Sequence, residues 1–182
     1  MPLATVHLLR HGEVHNPDRV LYGRLPEFHL SELGRTMAQR AAEYFAARRK
    51  AGAKIVLLAA SPLDRAQETA APTAAALGLE ILTEPRIIEA TNHFEGLSRI
   101  RGQLRQPRHW PYLVNPLRPS WGEPYSAQVE RMMEAVRDLR DRAVEIGVGA
   151  LDACLASAAV EKWQRKERTE RPRAHRHLEE IA

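Results

Sequence analysis

The chain has 182 residues, 44% of them hydrophobic, one cysteine and a formal charge of +4, which suits one sizeable core and a single α/β unit rather than several domains. Lone Cys154 excludes an intrachain disulfide, and no N-terminal stretch joins a basic head, an apolar run and a small-residue cleavage site, so a cytoplasmic location is expected. Charged residues interrupt every apolar run before the roughly 18 residues a membrane span needs, and the positive excess sits in residues 162–176, where seven Lys/Arg face Glu167 and Glu170, leaving the rest close to neutral.

In chain order, residues 6–9 are a short apolar run that predicts a buried strand ending at Arg10 and His11. Residues 13–30 contain Asn16, Pro17, Gly23 and Pro26 and read as a loop. Ser31 then offers an N-cap to a helix reaching about residue 50, with Leu33, Met37, Ala41 and Tyr44 as its apolar face. Residues 55–60 predict a second buried strand, Ser61 and Pro62 the cap and first position of a helix through Leu77, and residues 79–82 a third strand. Residues 91–125, rich in Pro, Trp, Arg and Gly, predict a lid or insert with little regular structure, in which Pro107, Trp110, Pro111, Tyr112, Pro116, Pro119 and Trp121 either cover a substrate or pack the insert onto the domain. Ser126 caps a further helix carrying Val129, Met132, Met133, Val136, Leu139 and Val144 and ending near Gly147. Alternating strands and helices imply a three-layer sandwich, with a mainly parallel central sheet, helices on both faces and ligands at the strands' carboxyl ends. Residues 1–150 form that domain. The Ala-rich residues 151–160 allow a helix where another buried strand belongs, and residues 151–182 read as an atypical basic tail without a packed core.

Three segments carry chemistry. In Leu8-Leu9-Arg10-His11-Gly12-Glu13, an imidazole at a strand end stands beside a guanidinium able to hold a phosphate bidentately, with a glycine that admits close backbone approach. The adjacent positive charge disfavours the imidazolium and keeps the nucleophile available. In Ser61-Pro62-Leu63-Asp64-Arg65-Ala66-Gln67-Glu68-Thr69-Ala70, Arg65 lies one turn into a helix and can add a second fork to an anion at that helix's start. Glu89 follows Ile87-Ile88, where partial desolvation would raise a carboxyl pKa and let it protonate a leaving oxygen. Each also has an ordinary alternative: a strand ending in solvent, a solvated arginine on an amphipathic helix, and the last residue before a loop.

Together these segments resemble the histidine phosphatase, or phosphoglycerate-mutase-like, superfamily: an Arg-His-Gly motif ends the first strand, a Ser-x-Leu-x-Arg-Ala-x-x-Thr motif opens a later helix, and Glu89 precedes Phe94-Glu95-Gly96. The resemblance covers residues 1 to about 146 and implies His11 as the nucleophile that becomes phosphorylated, Arg10 and Arg65 as phosphate ligands, and Glu89 as the proton donor. Asn16, Ser61 and the Leu30-Ser31-Glu32-Leu33-Gly34 stretch match their family counterparts, with Asn16 and Ser61 on the substrate-binding side. It further implies phosphomonoester hydrolysis without a metal or organic cofactor, a small-molecule substrate and neither nucleic acid nor membrane as partner, with a homodimer left open. Mutase-type phosphoryl transfer uses the same core residues.

The family's second histidine, set at the end of a buried strand in a Val-Ser-His or Gly-His-Gly context, has no counterpart after Gly147; His175 and His177 sit in the basic tail. Residues 154–159 can be encoded TGT CTC GCA TCA GCT GCC, which from the second base reads Val-Ser-His-Gln-Leu-Pro, so a frame change near Gly147 would account for the loss. Weak or absent turnover is then expected, and a noncatalytic phosphate-binding module is the alternative. His7, His11 and His15, spaced by four, would share a metal-binding face only on a helix, not on the predicted strand. Nucleic-acid binding through the tail, with Trp163 stacking, is the remaining class; its interspersed glutamates favour a solvated segment.

Overall fold

The computed structural model describes residues 4–114, 121–146 and 151–156. Among these, strands β1 (Ala4–Leu9), β2 (Ile55–Ala60), β3 (Ile81–Thr83) and β4 (Leu151–Ala156) form one parallel sheet in the order β1-β4-β2-β3. Parallel neighbours require crossovers, and helices α1 (Glu32–Lys50) and α2 (Asp64–Leu77) make the first two. The long connection after β3 holds a short α3 (Ile100–Gln103), a 3-10 segment at Pro107–Leu113 and then α4 (Tyr125–Glu145), which leads to β4.

The sheet divides the core in two, giving the expected three layers. Phe45 of α1 and Ala70 and Leu77 of α2 pack on Ile55, Leu58, Ala60 and Leu9, while Ala135, Leu139 and Ala143 of α4 pack on Leu57, Ala59, Val6 and Leu8. β2 serves both faces by alternation, Leu57 and Ala59 on one and Leu58 and Ala60 on the other, and its register shift with β4 between Ile55 and Leu57 sends these two odd-numbered residues to opposite layers. No helix among the described residues is long and apolar enough to cross a membrane.

Several sequence expectations change. Residues 151–156, allowed as a helix, form β4 between β1 and β2, so the α/β unit runs past residue 150. A strand here pairs on both edges, satisfying backbone groups that β1 and β2 would otherwise leave open; that demand outweighs the helix preference of Ala and Leu. The rest of the basic tail, with Trp163, His175 and His177, lies outside the described residues, as do Pro116 and Pro119. On α1 the expected face is wrong: Leu33, Met37 and Tyr44 are exposed, and the helix buries Gly34, Ala38, Ala42 and Phe45. Small residues win because they let α1 lie close against its neighbours. Ser31 does cap α1, its Oγ accepting from Gly34 N at 3.0 Å.

The second helix starts at Asp64, with Leu63 rather than Ser61 at the N-cap and no side-chain cap. On α4 the buried positions are Gln128, Ala135, Leu139 and Ala143, and Val129 is exposed. An antiparallel bridge between Asn92 and Gly122 closes the neck of the insert.

Candidate active site

β1 brings Arg10 and His11 to the carboxyl edge of the sheet, and β2 brings Ser61 to the same edge. The turn after β1 is packed backbone to backbone on the start of α1. A Cβ on Gly12 would lie 2.4 Å from the Gly34 oxygen, and one on Gly34 would lie 2.0 Å from the Glu13 oxygen. Glycine at position 12 is thus required by α1, a reason different from the ligand approach expected from sequence. Gly12 N also donates to Thr69 Oγ1 at 3.1 Å, which ties the turn to α2.

His11 is buried, and its Nδ1 lies 2.7 Å from the carbonyl of Gly12. A carbonyl only accepts, so Nδ1 carries a proton, and whenever the ring is neutral its lone pair lies on Nε2. The local backbone therefore selects the tautomer in which Nε2 carries the lone pair.

Arg65 is 1% exposed. It donates through Nη2 to the Gly23 carbonyl, and its guanidinium stands 4.7 Å over the Tyr22 ring, whose centroid is 6.5 Å from that of His11. Burial pulls the Arg65 pKa down, opposed by Tyr22, Glu89, Asp64 and Glu95. Its Nε has no hydrogen-bond partner among the described residues, and neither has the buried Ser61 Oγ. A desolvated cation with an unsatisfied donor favours an anionic ligand.

Arg10 and Glu89 line one cleft of about 280 Å³ with Tyr22, Gly23, Trp121 and Tyr125. Glu89 is also close enough to act electrostatically on Arg65. The structure thus gathers Arg10, His11, Arg65 and Glu89 around Tyr22-Gly23, with Ser61 at the neighbouring strand end. Asn16 is placed differently: its Oδ1 accepts from Val20 N at 2.9 Å and its Nδ2 donates to Val20 O at 2.8 Å, so its amide shapes the loop that carries Tyr22. Of the expected site residues only Arg10 and Glu89 line this cleft; Asn16, His11, Ser61 and Arg65 do not.

The spaced histidines diverge. His7 packs edge-on against Phe45 at 5.4 Å, and His15 is exposed. Among the described residues no three His, Cys, Asp or Glu side chains are grouped to hold a metal.

Sequence reasoning missed Tyr22, whose ring joins Arg65 to the His11 turn, and missed Arg24, Glu123 and Arg131, which surround the backbone of Glu89. No local pattern marks them, because apart from the Glu123–Arg131 pair, eight residues apart, their partners lie 42 to 99 residues away in the chain.

A parallel α/β sheet whose carboxyl edge joins an Nδ1-protonated imidazole to a desolvated guanidinium describes a phosphate-handling class of protein. The chain belongs to the histidine phosphatase superfamily (branch 1), whose model matches residues 6–150. It is 51% identical over 145 residues to the uncharacterized protein Rv0525 of Mycobacterium tuberculosis H37Rv, a match covering 78% of this chain and 69% of that one. The structure resembles mycobacterial glucosyl-3-phosphoglycerate phosphatase Rv2419c in complex with inorganic phosphate, with TM-score 0.66 and 26% identity over 91% of this chain and 78% of that one. It also resembles Bacillus stearothermophilus YhfR, with TM-score 0.68 and 25% identity over 93% of this chain and 82% of that one.

Proposed function

We propose that this chain is built to hydrolyse a small phosphomonoester through a phosphohistidine at His11. The observation that carries the reading is the buried Arg65 guanidinium, held over Tyr22 beside the Nδ1-protonated imidazole of His11. Nε2 of His11 attacks phosphorus, Arg10 and Arg65 hold the non-bridging oxygens, and Glu89 protonates the leaving oxygen. Water then attacks the phosphohistidine and passes a proton to the Glu89 carboxylate, so the P–N bond breaks, phosphate leaves, and both the imidazole and the acid are restored. The residues suffice without a cofactor, because two guanidinium groups can offset the charge of the transferring group. Phosphatase chemistry is favoured over mutase transfer for want of a long insert shaped to an acidic substrate.

A second reading, a phosphate-binding module with little turnover, is favoured by β4. Its last residue, Ala156, lies level with Leu9 and Ala60 at the sheet edge beside His11, and no described residue supplies a second imidazole there. Loss of one preorganised donor to a transferring phosphoryl group costs on the order of 100 to 1,000-fold in rate. The shifted frame would put its histidine codon across positions 156 and 157, where β4 ends, and the family match stops at residue 150.

Incubating the protein with a labelled phosphomonoester and quenching in alkali, which spares phosphohistidine, tests the first reading. Label on the wild type and none on His11→Asn is expected. Phosphate binding without any trapped label supports the module. Gene sequence around codons 147 to 160 that cannot encode Val-Ser-His in the shifted frame sinks the frame change.

A further inference from the structure

Glu89 lies in a stretch with no ladder to fix its backbone, after the 3-10 turn at Pro85–Ile87 and outside every strand and helix. Its position comes instead from two arginines. Arg131 of α4 donates through Nη1 to the carbonyls of Arg86 and of Ile88, the latter at 3.0 Å. Arg24, from the loop that carries Tyr22, donates through Nε to the next carbonyl, that of Glu89, at 2.5 Å.

The two guanidiniums converge on one carboxylate. Arg131 grips Glu123 with Nε to Oε1 at 2.9 Å and Nη2 to Oε2 at 2.6 Å, and Arg24 Nη2 reaches the same Oε2 at 3.3 Å. The side chains are largely shielded, at 31% exposure for Arg24, 17% for Glu123 and 19% for Arg131. Glu123 N in turn donates to Thr91 O at 3.3 Å, two residues beyond Glu89.

We propose that Glu123 and Arg131 are positioning residues that aim the Glu89 carboxyl, and that Glu123, although it lines the same cleft as Glu89, acts on turnover through Glu89 as Arg131 does. The inference rests on Glu89 being the proton donor of the proposed reaction. The physical reason is that consecutive carbonyls flanking one residue, each held by a planar fork whose rotation is locked by a shared anion, leave that residue little freedom. Glu123→Gln keeps the shape but accepts well from only one arginine, so the clamp loosens while the carboxyl of Glu89 remains.

The test is a mutant cycle between Glu123→Gln and Glu89→Gln, read on two substrates. An alkyl phosphate has a poor leaving group and needs the acid; p-nitrophenyl phosphate barely does. Glu123→Gln is expected to lower kcat on the alkyl ester by about 10 to 100-fold, as misplacement of a catalytic group by about 1 Å does. On p-nitrophenyl phosphate the fall should stay below about threefold, and in the Glu89→Gln background the further loss should vanish. Arg131→Lys should repeat the pattern. Equal losses on both esters, or a full additional loss in the Glu89→Gln background, overturn the positioning role. An alkyl-to-aryl ratio unchanged by Glu89→Gln overturns the donor reading and this inference with it.

Discussion

Replacing Gly34 by alanine probes the backbone contact on which the His11 turn rests. The added Cβ would lie 2.0 Å from the Glu13 oxygen and 2.9 Å from Glu13 C and N, against a floor near 3.0 Å. The chain at Glu13 must therefore retreat by about 1 Å, and no rotamer can absorb the shift because the obstacle is backbone. The same Glu13 carbonyl accepts from Ser31 N at 2.9 Å, so retreat also strains the residue that caps α1. Overpacking costs about 1–3 kcal/mol and partial loss of a cap about 1 kcal/mol, offset by about 1 kcal/mol of helix propensity gained within α1, so Gly34→Ala should lose about 1–3 kcal/mol. At this size that lowers Tm by about 2–12 °C. Thermal and urea unfolding followed by circular dichroism measure it, and Gly102→Ala is the control, since nothing lies within 4 Å of a Cβ there. The control should stay within about 1 kcal/mol of the wild type. A Gly34→Ala protein that melts with the wild type, or a control that falls as far, would refute the reasoning.

Arg65→Met removes a buried charge while keeping most of the volume, so inorganic phosphate affinity should fall by about 10 to 100-fold with Tm unchanged or raised; calorimetry showing unchanged affinity contradicts the proposed ligand role. His29 has a raised pKa, through its hydrogen bond to Glu68 and then the charge of Glu68, so its stabilising pairing is complete below the ordinary value of 6.5 and disappears as pH rises through the higher folded value. An NMR titration should find His29 above 6.5 in the wild type and lower in Glu68→Gln; coincident curves disprove the pairing. His109 runs the other way: burial first, then Arg108 and His93, lower its pKa. As pH falls below about 6.5 the unfolded chain takes up a proton that folded His109 resists, so stability declines with acid. Arg108 Nε reaches His109 Nε2 at 3.1 Å, which needs that nitrogen unprotonated, and Nδ1 is then the donor to His93 Nε2 at 3.3 Å. Urea midpoints between pH 7.5 and 5 should drop less in His109→Gln than in the wild type; parallel drops count against this.

By itself the sequence determined the elements whose causes are local. The apolar run of β2, the Ser31 cap of α1 and the placement of Arg10 and His11 at the end of β1 follow from short-range pattern, because burial and capping act over a few residues. The order of the three motifs pointed to the family. Tertiary structure decided whatever depends on distant partners. Ala-rich residues 151–156 became a strand because β1 and β2 flank them on both sides. The buried face of α1 shifted to Gly34, Ala38 and Ala42, because close approach rewards small side chains over Leu33 and Met37. Ser61 gave up the cap it promised, since the chain runs on to Leu63 before turning helical. The clamp of Arg24, Glu123 and Arg131 on the backbone of Glu89 is likewise a product of folding: hydrogen bonds to carbonyls leave no periodicity in sequence, so only the assembled chain reveals which arginines make them.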